Sequence, residues 1–111
     1  MALQNLNVKG QLANSAGALL TAGTNQSFII QKITLANASG ADVADIKLFI
    51  YASGGSAGNT NQVYYLGSLA DDDQVTVALG NHTLRDGDVL AGVAGTNTAV
   101  NYVISYAKRT D

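Results

Sequence analysis

The chain has 111 residues, of which 47% are hydrophobic and 13% are charged, and its formal net charge is -2 at pH 7. This length allows one domain with its own core, and the weakly acidic balance excludes the basic surface that a nucleic-acid partner needs. Cysteine is absent, which excludes disulfides and thiolate metal sites. Neither an export leader nor an apolar run of membrane-spanning length occurs, so we expect synthesis in the cytoplasm and no membrane partner.

The first segment, residues 1–26, contains small polar residues around scattered aliphatic ones, and its periodicity is weak. We predict an extended N-terminal arm or first strand, with one short strand near Ala18 to Thr21, followed by a sandwich domain in residues 27–111. We expect the arm to contact a partner, and its deletion to abolish that contact while the sandwich stays folded. The partner-binding candidates in the arm are Leu3, Leu6, Val8 and Leu12.

Two runs of alternating hydrophobic residues lie between Ile29 and Ala52 and are separated by a polar segment rich in turn-forming residues. This pattern predicts two half-buried strands, which we interpret as a hairpin. Within it, Ile33 and Leu35 are the expected core partners of Ile46 and Leu48.

A run of glycine and small polar residues follows at Ser53–Asn61, and it predicts a mobile surface loop. A phosphate-binding role is excluded because no helical pattern and no lysine follow the glycines. The three carboxylates of Asp71–Asp73 lack the alternating spacing of a calcium loop, so they predict a solvated turn.

The remaining strands are short and separated by turn signals. The third strand of the body places Val63, Tyr65 and Leu69 on one face, and the last strand places Tyr102 and its alternate neighbours on one face. The expected strands are Val63–Leu69, Gln74–Gly80, a strand after the tight turn Asp86–Asp88, and Ala99–Ala107. This spacing without any helical pattern predicts an all-β, antiparallel two-sheet β-sandwich, either jelly-roll or immunoglobulin-like.

Proline is absent and lysines are few, although these residues often protect the edge strands of natural sandwiches. We therefore expect the edges to be covered by other copies of the chain or by a partner. A homo-oligomer, either a trimer or a dimer, is one arrangement that would cover them.

The sequence contains few residues in arrangements suited to catalysis. His82 is the single histidine and no nucleophile elbow accompanies it, while Asp86 and Asp88 flank a turn glycine where water keeps both ionised. We predict a protein that is not an enzyme and that carries no cofactor and no metal.

Tyrosines are the better binding candidates, because an exposed row would suit sugar rings or a protein surface, although strand tyrosines also commonly cover the margin of a core. The tyrosines that we select as partner-binding candidates are Tyr51, Tyr64 and Tyr102.

The pattern from Ile33 to about Ala94 contains a strand ending in Leu-Ala-Asn-Ala-Ser-Gly and then Ile-Lys-Leu-Phe-Ile-Tyr-Ala-Ser-Gly-Gly-Ser-Ala-Gly-Asn-Thr-Asn-Gln-Val. An aspartate-rich turn and Leu-Arg-Asp-Gly-Asp-Val-Leu-Ala-Gly complete it. In this arrangement the chain resembles small β-sandwich structural proteins in the virions of tailed bacteriophages. The resemblance implies a virion structural protein, either a head decoration (cement) protein or a tail-associated one, and the motif does not separate these. Of the two we expect a capsid decoration (cement) protein, because open strand edges and a polar arm suit binding to the major capsid protein on the outside of the head and stabilising contacts between capsomers. The resemblance implies no catalytic residues.

Two other functions remain open from the sequence. A tail- or fibre-associated module that binds a receptor or carbohydrate could use the tyrosines and the loop Ser53–Asn61. A pilus-like sandwich of a bacterial surface is disfavoured because the chain shows no export signal.

Overall fold

The computed structural model describes residues 3–79 and 82–110, and within them the chain forms nine β-strands and no helix. Gly80, the last residue of the predicted strand Gln74–Gly80, and Asn81 lie outside the described residues, as do both chain ends. The strands are β1 (Leu3–Gln11), β2 (Gly17–Thr21), β3 (Gln26–Asn37), β4 (Val43–Tyr51), β5 (Gln62–Leu69), β6 (Gln74–Val77), β7 (Thr83–Arg85), β8 (Val89–Val93) and β9 (Val100–Thr110). The all-β prediction is confirmed.

The strands form two antiparallel sheets. Sheet A has the order β1-β9-β3-β6, with β7 also pairing with β3, and sheet B has the order β2-β8-β4-β5. Strands β1 and β2 lie in opposite sheets, as do β3 and β4, whereas an immunoglobulin sandwich keeps its first two strands in one sheet. This strand order is that of a jelly roll, which decides between the two predicted sandwich topologies.

The predicted hairpin between β3 and β4 is wrong. β3 pairs with β9 in sheet A and β4 pairs with β5 in sheet B, so the connecting residues 38–42 cross from one sheet to the other. The predicted core side chains nevertheless meet, because both strands direct their apolar faces into the same interior. Each of these four side chains is 0% exposed in one hydrophobic cluster: Ile33, Leu35, Ile46 and Leu48.

The N-terminal segment contributes an edge strand to each sheet. The short strand expected near Ala18 to Thr21 is confirmed as β2, and β1 pairs with β9 along its whole length. Leu12, Leu20 and Ala22 belong to the main core, with 0%, 8% and 1% of their surfaces exposed. Deletion of residues 1–26 would therefore remove two strands and three core side chains. We therefore expect that the sandwich would not stay folded without them, in contrast to the expectation from the sequence.

Alternation of buried residues holds from Val100 to Ile104 in β9 and is interrupted in β4 and β5. In β9 the face predicted to carry Tyr102 and its alternate neighbours is the core side, since Val100, Tyr102 and Ile104 are buried. In β4, Asp45 adopts φ 54°, and the inward positions change from Val43 on one side of it to Ile46 on the other. The paired part of β5 changes in the same way, from Leu66 to Leu69. Leu69 is consequently buried, whereas the other two members of its predicted face, Val63 and Tyr65, are exposed.

Candidate interaction surfaces

Four side chains from four neighbouring strands form a row across the outer face of sheet A. Leu3 of β1 pairs with Arg109 of β9, Arg109 pairs with Ser27 of β3, and Ser27 pairs with Arg85 of β7. Side chains opposite one another in antiparallel strands have Cβ atoms about 5 Å apart. Ser27 is therefore flanked on both sides by a guanidinium-bearing side chain, and Leu3, which is 64% exposed, ends the row.

A polar cleft of about 270 Å³ lies beside this row. Its walls are the turns before β3 and before β8, which are joined where the Gly87 amide donates to the Ala22 carbonyl oxygen at 2.8 Å. The Asn25 amide also donates to Asp86 Oδ1 at 2.9 Å. Two cations and one carboxylate give the cleft an excess positive charge. The lining residues are Asn25, Gln26, Ser27, Arg85, Asp86 and Arg109.

The outer face of sheet B carries an exposed aromatic ring on its edge strand. Tyr65 of β5 is 51% exposed, and its hydroxyl donates a 2.9 Å hydrogen bond to Asp45 Oδ1. This hydrogen bond and the negative charge of the carboxylate raise the pKa of Tyr65 above its ordinary value. Lys47 Nζ lies 6.0 Å from the centre of the ring, and Val63 on the same strand is 40% exposed. Val63 and Tyr65 thus form an apolar patch at the edge of sheet B.

The glycine-rich loop 53–61 is a surface loop, as predicted, and it folds back over the outer face of sheet B. Ala57 packs against a small hydrophobic cluster centred on Phe49, which is 6% exposed. Asn61 closes the loop, because its Oδ1 accepts a hydrogen bond from the Gly58 amide at 3.0 Å. The loop therefore covers Phe49 and leaves the Val63–Tyr65 patch beside it uncovered.

The arm residues selected from the sequence have different environments. Leu3 is exposed, Leu6 is half-buried, and Val8 is half-buried against the main core. Leu12 is 0% exposed, so a partner cannot contact its side chain in the folded protein. The selection of Leu12 as a partner-binding residue is therefore corrected: its chemistry is that of the core.

The selected tyrosines cover hydrophobic clusters. Tyr102 is 9% exposed, and a Cβ placed at Gly10 would lie 2.7 Å from its hydroxyl oxygen, so the ring fills the space above this glycine. Tyr102 is therefore a core residue and its selection for partner binding is corrected. Tyr64 packs against the main core and Tyr51 against the outer cluster of sheet B, both half-buried. The most exposed tyrosine surface belongs to Tyr65, which alternation alone had assigned to the face of Leu69.

The residues of the polar cleft were not recognised in the sequence as a group. Ser27, Arg85 and Arg109 are far apart in the chain, and their juxtaposition follows from the pairing of β3 with both β7 and β9. Within the described ranges no cluster of three or more metal-ligating side chains occurs, and no helix there could cross a membrane.

Comparison with known proteins identifies similar folds at low sequence identity. No family model matches the chain, and no curated protein matches it. One similar structure, of Bacillus endospore appendages described as disulfide-linked pili, is 15% identical, with a TM-score of 0.55 over 98% of this chain and 87% of that one. The acid-stable capsid structure of the Helicobacter pylori bacteriophage KHP30 is 11% identical, with a TM-score of 0.51 over 97% of this chain and 87% of that one. These similarities show a shared β-rich fold.

Proposed function

We propose that the protein is a non-enzymatic structural component of a phage particle and that it binds the outside of the head as a decoration (cement) protein. The observation that carries this proposal is the pair of long edge strands that are open on one side in the described chain. β1 has nine residues and β5 has eight, and each pairs with a single neighbour in its sheet.

Open edges favour assembly because each presents a row of unpaired backbone donors and acceptors. Nine extended residues span roughly 30 Å, which is enough for a second chain to pair along the edge. The edges carry exposed apolar side chains, Leu3 on β1 and Val63 and Tyr65 on β5, and the chain has no proline to interrupt pairing. An edge of this kind is suited to pairing with another protein chain in the assembled particle. We propose the major capsid protein as the partner at one edge and another copy of the chain at the other.

The similarity to a phage capsid structure supports this choice, since it extends over 97% of the chain. Jelly rolls also build lectins, so the fold by itself does not select a function. The carboxylates considered for catalysis have structural partners: Asp86 Oδ1 accepts from the Asn25 amide and Asp88 Oδ2 from the Arg85 amide, at 2.9 and 3.1 Å. This arrangement stabilises turns and favours a structural role over catalysis.

The test is binding to mature, undecorated heads of the same virus, measured by pelleting the heads and counting bound copies. We expect saturable binding on the order of hundreds of copies per head, as symmetric repetition on a shell requires. Val63→Asp and Leu3→Asp should each weaken binding by about tenfold if their edge is buried by the shell. Gln31→Asp is the matched control, because Gln31 is an exposed polar residue of β3, a strand that lies between two others in sheet A and not at an open edge.

Thermal melting of each variant establishes that the sandwich is folded, so that a loss of binding reports on the surface. Wild-type protein that leaves heads unoccupied would overturn the proposal. A stable oligomer that ignores heads would favour the tail or fibre alternative, in which the exposed ring of Tyr65 is available to a sugar. Glycan-array binding that disappears in Tyr65→Ala would support that alternative.

A second candidate is a filament subunit, which is favoured by the similarity to the Bacillus appendage structure over 98% of the chain. That structure is described as disulfide-linked, whereas this chain has no cysteine, so its subunits would have to join through strand edges and side-chain packing. Electron microscopy of concentrated protein without heads distinguishes the two. Linear filaments support this candidate, and discrete particles support the decoration protein.

A further inference from the structure

We propose that the cleft between Arg85 and Arg109 binds a small hydroxylated carboxylate, of which a sugar acid is the simplest example. The lining of this site does not include Leu3, Val63 or Tyr65, the edge side chains through which we propose that the protein assembles, although Arg109 lies next to Leu3 in the row. The site therefore adds a ligand-binding activity that attachment to a shell does not require.

The carboxylate is selected by the two arginines. Ser27 lies between them in strand register, so both guanidinium groups can approach a ligand placed above its hydroxyl. Among the described residues, neither the Ser27 hydroxyl nor the Arg85 guanidinium makes a hydrogen bond. Arg109 has interactions within the protein, but a guanidinium has five N–H donors and can serve more than one partner. The planar fork of arginine matches the two oxygens of a carboxylate.

The other residues that line the cleft favour a ligand that also carries hydroxyl groups. Gln26 Oε1 accepts from the Gly23 amide at 3.0 Å, which leaves the Gln26 amide group to donate to a ligand. Asp86 uses Oδ1 for the Asn25 amide, which leaves Oδ2 to accept from a ligand hydroxyl. The cleft thus offers both a donor and an acceptor next to the cationic pair. A doubly charged phosphate fits less well, because Asp86 repels the second charge.

The size and rigidity of the cleft favour a ligand of one ring. Its volume of about 270 Å³ lies below the range of roughly 300–1,000 Å³ that is typical of sites for drug-sized ligands. The two turns that form its walls are hydrogen-bonded to each other, with Ala22 N donating to Asp88 O at 3.1 Å. A site held in this way loses little conformational freedom on binding.

The test is a titration of isotopically labelled full-length protein with glucuronate, followed through the backbone amide signals of residues 25–27 and 85–88. We expect saturable shifts in these signals with glucuronate, and at least tenfold weaker binding of glucose and of acetate. Arg85→Gln should weaken glucuronate binding about tenfold, the effect of losing a charge-assisted bidentate contact. Lys32→Gln is the matched control, since it removes one exposed cation of β3 outside the cleft lining.

A dispersed spectrum shows that each variant is folded. Ser27→Ala provides a second, smaller change at the residue between the two arginines, and it should weaken glucuronate binding less than Arg85→Gln does. If glucose binds as tightly as glucuronate, the cleft does not recognise a carboxylate. If acetate binds as tightly as glucuronate, the cleft does not recognise the hydroxyl groups. Either result would overturn the proposal. Tighter binding of phosphate or of a tri-aspartate peptide, or the absence of shifts at the cleft, would also overturn the proposal. Binding of a glucuronate-containing oligosaccharide would identify a glycan as the source, and binding of the free acid alone would identify a free hydroxy acid; either supports the site.

Discussion

Asn37 Nδ2 donates a hydrogen bond of 2.9 Å to the carbonyl oxygen of Leu69, which joins the end of β3 in sheet A to the end of β5 in sheet B. Asn37 is 1% exposed, and the same amide group donates to the Ala41 carbonyl oxygen at 2.8 Å. Its Oδ1 accepts from the amide and the hydroxyl of Ser39. This side chain therefore satisfies all of its hydrogen-bonding groups while holding the crossover between the sheets.

Replacement of Asn37 by alanine should lower the free energy of unfolding by about 3 kcal/mol, because buried carbonyl oxygens lose their donors. Urea denaturation measures the loss. Ser39→Ala is the control, since it removes one exposed hydroxyl from the same network and should cost about 1 kcal/mol or less. Equal losses in the two variants would contradict the central role of Asn37.

Leu3 at the start of β1 and Leu12 directly after its end should respond differently to truncation. Leu12→Ala should cost about 2 to 5 kcal/mol, the range for truncation of a fully buried leucine. Leu3→Ala should change stability by less than about 0.5 kcal/mol, because its side chain is exposed. Thermal and urea unfolding of both variants measure the difference. A stable Leu12→Ala protein would show that residues 3–26 contribute little to the core.

Gly95 marks a close approach between the loop after β8 and the chain at the start of β4. A Cβ at this position would lie 2.5 Å from the Ala44 carbonyl oxygen, and the Gly95 amide donates to that same oxygen at 2.8 Å. Gly95→Ala should therefore cost at least about 2 kcal/mol, because backbone must move on both sides. Gly17→Ala is the control: no atom lies within 4 Å of its added methyl group, and a gain of up to about 1 kcal/mol is expected.

The pair of Tyr65 and Asp45 predicts a particular pH dependence. The raised pKa means that the folded state favours the neutral phenol. The stabilisation is fully present below the pKa of the unfolded tyrosine and is lost as the pH rises through the folded-state pKa. Ultraviolet titration of tyrosinate should show a late-ionising group that is absent in Tyr65→Phe and ionises earlier in Asp45→Asn. Added salt should reduce the shift, since the pair is exposed; an unchanged titration in Asp45→Asn would contradict the assignment.

The alternation of apolar and polar residues along the sequence correctly predicted which residues of several strands are buried, and the reason is physical. The alternation of Ile46 and Leu48 and of Val100 to Ile104 reports which side of a strand avoids water, and this preference holds whichever strand lies alongside. The turn at Asp86–Asp88 was likewise predictable, because Gly87 takes φ 93° there at little cost.

The strand that pairs with each strand was less predictable from the sequence than the side of the strand that is buried. A short polar connection such as residues 38–42 can close a hairpin or cross between sheets, and here the crossover is held by Asn37, whose amide bonds Leu69 some thirty positions away. Face assignments in β5 failed for a related reason. The reversal at Asp45 depends on a backbone conformation that a strand pattern does not reveal.

The sequence by itself determined the class of fold, the absence of cysteine chemistry and the core positions Ile33, Leu35, Ile46 and Leu48, because burial of apolar side chains depends on composition and local period. Only the tertiary structure decided the jelly-roll order, the burial of Leu12 and Tyr102, and the exposure of Tyr65. It also brought Ser27 between Arg85 and Arg109. Such proximity arises from pairing between distant strands, and long-range pairing is set by the packing of the whole chain rather than by any one segment.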